Sequence, residues 1–224
     1  MNRTPVYIVC SPRPRVGKTL VARLLTEFLL LDRGKVAAFD INLNEPSLLD
    51  FLPKVTDTAT IDDTMGQMEL MDRLIAHDAV PKVVDLGFHS FDGFFRMLDE
   101  IGFAKEAERR AVEPIVLLIP DRDRTSQRAW AMLRDRFSTV AIVPVNNEQV
   151  LFGEPPEWIG RTKLLDIAML PGFLKTYIDR TGFSFTGHLR TSNDPSSELY
   201  QWIRECFLRF RELRLNLILH KIQV

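Results

Sequence analysis

The sequence predicts an α/β fold in which a doubly wound, mostly parallel sheet carries helices on both faces. Short apolar runs rich in Val and Ile are bounded by turn residues, as buried parallel strands are. Amphipathic stretches lie between these runs, and this alternation favours right-handed crossovers. The predicted strands are residues 6–10, 36–39, 82–86, 114–119 and 139–145.

The segments between the strands show apolar residues at helical spacing. The first, over residues 16–31, carries Val21, Leu24 and Phe28 on one side, and Arg33-Gly34 follows it as a helix C-terminal signal. Further helices are predicted over residues 69–76, 91–101, 125–137, 164–170, 173–178 and 198–219. We expect one domain over residues 1–224, with the first strand central and the last helix packed on the sheet.

Composition restricts the functions open to the chain. Its 224 residues carry a formal net charge of −1, so no overall field draws it to nucleic acid or to acidic lipid. Cys10 and Cys206 form no metal-ligand spacing, which favours buried thiols in a reducing compartment. No apolar run reaches transmembrane length, and the early first strand leaves no room for a signal peptide. We therefore expect a cytoplasmic protein.

The segment between the first strand and the first helix carries the strongest functional motif. Gly17-Lys18-Thr19 opens the helix shortly after a buried strand. A helix N-terminus presents free backbone N–H groups to an anion, and a lysine and a hydroxyl placed there converge on a polyphosphate. Lys18 would reach the β- and γ-phosphates, and the Thr19 hydroxyl would ligate Mg²⁺. The loop departs from the usual spacing at Pro12, where a glycine is typical.

This loop resembles the deviant Walker A motif, Lys-Gly-Gly-x-Gly-Lys-Thr, of the ParA/MinD ATPases, which partition DNA or position cellular machinery. Asp40-Ile41-Asn42 stands where that family has Asp-x-Asp, and Val83-Val84-Asp85 stands where its Walker B strand ends in Asp. The resemblance implies a P-loop NTPase-like fold, ATP and Mg²⁺ as cofactors, and a homodimer. It implies nucleotide contacts from Arg13, Arg15, Val16, Gly17, Lys18, Thr19 and Leu20, metal binding by Thr19, Asp40 and Asp85, and catalytic roles for Lys18, Asp40 and Asn42.

Four departures from the family motif weaken the expected catalysis. Arg13 replaces the lysine that reaches across the dimer, and a planar guanidinium is not a compact ammonium. Pro14 has no N–H for an anion, and Arg15 adds bulk, although its charge could partly compensate. Asn42 replaces a carboxylate of the hydrolytic site, which typically costs about 10²-fold in rate or more. We therefore expect nucleotide binding with slow or absent hydrolysis.

The carboxylates and a pair of asparagines each have a simpler interpretation. Asp40 or Asp85 alone could cap a strand-to-loop transition, although both together with the loop favour the functional role. Asn146-Asn147 stands where GTPases read guanine, but Gln149 replaces the aspartate of that motif, so adenine is favoured. Asn146 is then a candidate to contact the exocyclic amine of adenine, and a turn after the strand is an equal alternative.

Other charged and apolar segments suggest partners only weakly. Arginines at positions 109, 110, 122 and 124 could contact DNA, although solvated helix faces explain them as well. The last helix resembles the basic amphipathic helix with which MinD-like proteins bind membrane, but packing across the sheet explains it better, and membrane binding is not expected. Met65, Met68 and Met71 could form an adaptable partner surface, although core packing explains them too.

Three functions follow from these observations. The first is a ParA/MinD-like ATP-binding switch that partitions or positions DNA or another cargo with a protein partner, and is a weak ATPase at most. The second is a catalytically degenerate P-loop protein that acts as a structural or regulatory subunit of a larger assembly. The third is a small-molecule kinase or ligase resembling dethiobiotin synthetase, for which the sequence offers no convergent polar substrate site.

Overall fold

A parallel sheet forms the centre of the molecule. The computed structural model describes residues 3–42, 47–151, 155–160 and 162–220, without the side chain of residue 220. Its strands are β1 (Thr4–Cys10), β2 (Ala37–Asp40), β3 (Thr56–Thr58), β4 (Lys82–Asp85), β5 (Val112–Leu118), β6 (Ala141–Asn147) and β7 (Leu165–Ile167). Within the described residues the sheet has seven strands in the order β3-β2-β4-β1-β5-β6-β7, and every pair of neighbours is parallel. The doubly wound prediction is confirmed, and β1 is central as expected.

Helices connect the strands and cover both faces of the sheet. In chain order they are α1 (Lys18–Arg33), α2 (Leu48–Phe51), α3 (Thr64–Leu74), α4 (Phe91–Glu100), α5 (Phe103–Arg109), α6 (Arg124–Arg136), α7 (Glu148–Leu151), α8 (Gly172–Ile178), α9 (Phe185–Thr191) and α10 (Glu198–His220). Short 3₁₀ turns lie at Phe88–Ser90 and Glu157–Ile159. In the part of the chain that the structure describes, no helix is both long and apolar enough to cross a bilayer.

Alternating side chains of the strands divide the core into two clusters. Tyr7 and Val9 of β1 point to one face, where α1, α8, α9 and α10 pack, and Ile8 and Cys10 point to the other, where α3, α4, α5 and α6 pack. Both cysteine thiols are free and buried, as expected. Because each face is covered, every strand of the centre reads as a continuous apolar run rather than an alternating one.

Two strands were not anticipated by the sequence pattern. The helix predicted over residues 164–170 is wrong, because Leu165–Ile167 forms β7 and pairs with the end of β6. The three residues of β3 were not predicted at all, since Thr56-Asp57-Thr58 has no apolar run. The strand predicted over residues 139–145 lies two residues further along, at Ala141–Asn147. This shift places two asparagines inside the strand, at the edge where the motif loop lies.

Candidate nucleotide-binding site

The loop between β1 and α1 keeps a left-handed backbone at two positions. Gly17 has φ of 87° and is the N-cap of α1, and Arg15 has φ of 59°. Glycine enters this region without penalty, whereas an arginine does so at a cost of roughly 1–2 kcal/mol. The loop therefore adopts its turn although an arginine occupies a position where the family motif has glycine. The amides of the first turn of α1 have no acceptor within the helix, so they are open to an anion.

The ammonium of Lys18 closes this loop on itself. Its Nζ donates a hydrogen bond to the carbonyl oxygen of Arg13 at 2.8 Å, and it lies 5.7 Å from the ring centroid of Phe88. Only 6% of the residue is exposed. Burial lowers the pKa of Lys18, and the charge of Asp85 partly opposes that change. A cation is thus held at the centre of the loop, beside the helix N-terminus.

Thr19 lies at the meeting point of two further strands. Its hydroxyl donates to Oδ2 of Asp85 at 2.7 Å and accepts from Nδ2 of Asn42 at 3.3 Å. Asp85 is fully buried, and its second oxygen, Oδ1, has no hydrogen-bond partner among the described residues. Burial raises the pKa of Asp85 to about 7. The ends of α1, β2 and β4 thereby bring together the residues at positions 19, 42 and 85 that the sequence singled out.

Asp40 uses both carboxylate oxygens to hold backbone. Oδ1 accepts from the N–H of Asn42 and Oδ2 accepts from the N–H of Leu49, each at 2.9 Å. Asp40 pairs in register with Asp85 on the neighbouring strand, and it is 2% exposed. The strand-capping interpretation therefore describes what Asp40 does in this structure, and its metal and catalytic roles stay predictions.

The oxygen atoms near Thr19 suit a hard divalent cation. In the described ranges, no cluster of three or more His, Cys, Asp or Glu residues could hold a metal by itself. Mg²⁺ needs no such cage, because it keeps several waters and takes one or two protein oxygens together with phosphate oxygens. The Thr19 hydroxyl and the unpartnered Oδ1 of Asp85 fit this requirement.

Arg13 is tied to acidic residues that follow β5. Its Nε donates to Oδ2 of Asp121 at 2.9 Å, and its NH2 group lies 4.0 Å from Oδ2 of Asp123. The guanidinium is still 39% exposed, so the side chain lies at the surface of the site. Arg13 therefore pairs within its own chain, and contact across a dimer would require it to leave Asp121.

Asn147 is a residue of this site whose role the sequence did not indicate. Its Nδ2 donates to the carbonyl oxygen of Val16 at 2.9 Å, so β6 supports the loop from the side. Asn146 faces the opposite side of the sheet and donates to Oδ1 of Asp166 at 2.9 Å. Both asparagines belong to β6, so the interpretation as turn residues is wrong. Successive side chains of a strand point to opposite faces of its sheet, so the two asparagines can be assigned to different faces once the end of β6 is known.

The remaining predicted contacts are less distinctive. Val16 has a buried side chain and contributes its carbonyl to Asn147, and Leu20 packs against the core, so both would act through their backbone N–H groups. Asn146 is 7% exposed, and within the part of the chain that the structure describes its Oδ1 has no hydrogen-bond partner. An acceptor atom is thus present for an amine, but contact of Asn146 with adenine stays a prediction.

Comparison with known proteins supports the assignment of the fold. No protein-family model matches the sequence, and no curated protein matches it. The structure is similar to that of a ParA family ATPase from Chlorobium tepidum TLS, with 15% identity, a TM-score of 0.58, and 93% and 99% of the two chains covered. The chain has a P-loop NTPase-like fold. A MinC:MinD cell division protein complex from Aquifex aeolicus also matches, with 16% identity, a TM-score of 0.46, and 93% and 96% of the chains covered.

Proposed function

We propose that this protein is a nucleotide-dependent switch that binds ATP with Mg²⁺ and hydrolyses it slowly or not at all. The observation that carries the proposal is the hydrogen bond from the Lys18 ammonium to the carbonyl oxygen of Arg13, which closes the loop beside the N-terminal amides of α1. This hydrogen bond holds a buried ammonium at a helix N-terminus, where the macrodipole and the backbone amides favour a polyphosphate. Among the described residues the Lys18 ammonium has no ion pair, and its hydrogen bond to a carbonyl does not by itself explain why a charged group is buried there.

The groups around Thr19 support a metal-dependent nucleotide. Asn42 donates a hydrogen bond to the Thr19 hydroxyl and Asp85 accepts one from it, so the hydroxyl is oriented before any ligand arrives. Bound Mg²⁺ would supply charge neutralisation of the phosphates. Asn42 orients groups by hydrogen bonding but cannot remove a proton from water, and this supports slow turnover. The switch would then depend on which nucleotide is bound more than on rapid chemistry.

By analogy with the ParA/MinD-like fold, we propose that ATP favours a homodimer that engages a cargo or a protein partner. The pair of Arg13 with Asp121 would have to open in that dimer. DNA contact receives little support, because Arg109 and Arg110, at the C-terminal end of α5, both pair with Glu106. Adenine rather than guanine stays our proposal for the base.

A second candidate function is a degenerate P-loop subunit that no longer uses nucleotide. The specific observation in its favour is that Arg13 is neutralised by Asp121 in the same chain. Such a protein would fold and assemble without ATP.

A titration with ATP and Mg²⁺ that reports affinity, molecular mass and phosphate release tests the proposal. The wild type should bind ATP, and Lys18→Ala should bind it at least ~10-fold more weakly, since a phosphate-binding ammonium is lost. Lys35→Ala, which removes an exposed lysine after α1, is the matched control and should bind like the wild type. Equal affinities for the wild type and Lys18→Ala would overturn the P-loop role. A folded wild type without ATP affinity would favour the degenerate subunit.

A further inference from the structure

An apolar groove lies between three helices on one face of the sheet. It has a volume of about 320 Å³ and runs between α3, α4 and α5. We call it the methionine groove; its apolar lining is Met68, Met71, Ile75, Met97, Ile101 and Phe103. Met68 is 59% exposed and Ile101 is 51% exposed, so the groove is open to solvent. Flexible, polarisable methionine side chains suit a surface that adapts to a partner.

A second exposed apolar surface lies on the outer side of α10. We call it the leucine stripe; it comprises Leu208, Leu215, Ile218 and Leu219, which are 45%, 53%, 51% and 56% exposed. Leu215, Ile218 and Leu219 lie seven, ten and eleven residues after Leu208, so the four side chains share one side of the helix. The inner side of α10, with Ile203, Phe207 and Phe210, is buried in the core.

The two surfaces cannot meet within one chain. The inner side of α10 packs in the core cluster that contains Tyr7 and Val9, whereas α3, α4 and α5 pack in the cluster that contains Ile8 and Cys10. Consecutive residues of a strand point to opposite faces of its sheet. The sheet therefore separates the leucine stripe from the methionine groove, and only a second molecule can bring them together.

Charges at the two surfaces are complementary. The charged residues that line the groove are Asp72 and Glu106, and both are acidic. Glu106 already pairs with Arg109 and Arg110, but Asp72 has no ion pair within 4 Å among the described residues. On α10, the exposed residues Arg204 and Arg211 lie along the leucine stripe, and within the same described residues neither has an ion pair. Among the described residues, the charge left unpaired at the groove is thus acidic and the charges left unpaired along the stripe are basic. Glu205 and Glu212, which also border the stripe, both pair with Arg209.

We propose that the leucine stripe of one molecule docks into the methionine groove of a second copy of this chain. The spacing of the leucines matches the way an amphipathic helix presents anchors to a hydrophobic groove. Arg211 of the docked helix lies near Asp72 at the rim. The contact buries exposed apolar side chains on both partners, which provides the driving force for association.

This contact joins two different surfaces, so it is heterologous. Each molecule retains a free groove at one end and a free stripe at the other, and association proceeds beyond a dimer unless the rotation closes a ring. Both surfaces lie on helices that cover the faces of the sheet, and neither includes Lys18 or Thr19. The proposal therefore does not depend on nucleotide binding.

Sedimentation of the full chain without nucleotide, from micromolar to hundreds of micromolar protein, tests the contact. The mean mass of the wild type should rise with concentration past that of a dimer. Met68→Glu and Leu215→Glu should each weaken association at least ~10-fold, because a charge enters the apolar contact. Both positions are more than half exposed, so the variants are expected to fold. Phe173→Glu is the control, because Phe173 is 71% exposed and belongs to neither surface.

Mixing the two variants separates this contact from the alternatives. Met68→Glu keeps an intact stripe and Leu215→Glu keeps an intact groove, so an equimolar mixture should form a one-to-one dimer and nothing larger. Asp72→Arg should also weaken association, and adding Arg211→Glu to the same chain should restore it at least partly.

A wild type that stays monomeric over the whole range overturns the proposal. So does association that Leu215→Glu abolishes and Met68→Glu leaves intact, which indicates contact between two stripes. Flotation of a monomeric wild type with phosphatidylglycerol vesicles, lost in Leu215→Glu, indicates a lipid surface instead.

Discussion

A Cβ atom added to Gly17 would lie 2.5 Å from Nδ2 of Asn147. The same amide nitrogen donates a hydrogen bond to the carbonyl oxygen of Val16, so the end of β6 is held close against the backbone of the loop. Gly17 is thus required for its backbone conformation and for the space that Asn147 occupies. The loop between β1 and α1 is therefore supported by a strand more than a hundred residues away in the chain.

Gly17→Ala should destabilise the protein more than the same change at Gly34. Both glycines have positive φ, 87° and 74°, but no described atom lies within 4 Å of a Cβ built at Gly34. Gly34→Ala therefore reports the backbone cost alone, roughly 1–2 kcal/mol. Thermal unfolding should give a larger fall in Tm for Gly17→Ala. In an Asn147→Ala background the two glycine variants should become equal, and an undiminished difference there would show that Asn147 is not the obstacle.

Arg15→Gly should stabilise the protein in the absence of nucleotide. Arg15 has φ of 59° and an exposed side chain, so glycine relieves backbone strain and gives up little packing. The expected gain is about 1 kcal/mol, or a rise in Tm of about 2–4 °C. Ala79→Gly, at φ of 57° and also exposed, is a matched control outside the loop and should change Tm in the same direction. A fall in Tm for Arg15→Gly alone would mean that the arginine side chain stabilises the loop.

Glu27→Ala should be among the most destabilising changes on α1. Glu27 is 2% exposed and accepts hydrogen bonds from the backbone of Phe185 and Thr186 and from the hydroxyls of Ser184 and Thr186. Its removal leaves buried donors unpaired, at a cost of at least ~2 kcal/mol. We expect Tm to fall by about 4–8 °C or more. Glu108→Ala, at an exposed position on α5, should change Tm by less than a degree or two.

How much of this could be predicted from sequence depends on how local the signal is. The central strands and α1 were predictable because each apolar run, like the Gly17-Lys18-Thr19 motif, is a pattern contained within a few consecutive residues. The edge strands β3 and β7 have three residues each, and their conformation comes from pairing with β2 and β6 rather than from their own pattern. Tertiary pairing overrides local propensity at such positions.

The candidate site divides in the same way. Thr19 and Asp85 were predictable from motif and strand ends, and the structure joins them by a hydrogen bond. The role of Asn147 was not, because it depends on the precise end of β6, and a shift of one residue exchanges Asn146 with Asn147 across the sheet. Helical spacing put three methionines together, yet Met71 is buried while Met68 is exposed, which only the packing of α3 against the sheet decides.

The N-cap of α6 should make the stability of the protein depend on pH in the acid range. Asp123 caps α6 by accepting from the backbone N–H of Thr125 at 2.7 Å, and hydrogen bonds from the side chain and backbone of Thr125 lower the pKa of Asp123 below its ordinary value of 3.8. The folded protein therefore binds fewer protons at this carboxyl than the unfolded chain does. The contribution of this carboxylate to stability is complete above pH 3.8 and is lost as pH falls through the lowered pKa.

Asp123→Ala should lower Tm by about 2–4 °C at neutral pH, and this loss should shrink in strong acid, where the wild-type carboxyl is protonated. Asp123→Asn keeps a neutral cap, so its Tm relative to Asp123→Ala should not change with pH. A loss for Asp123→Ala that stays constant across the acid range would show that the ionised carboxylate is not what caps the helix.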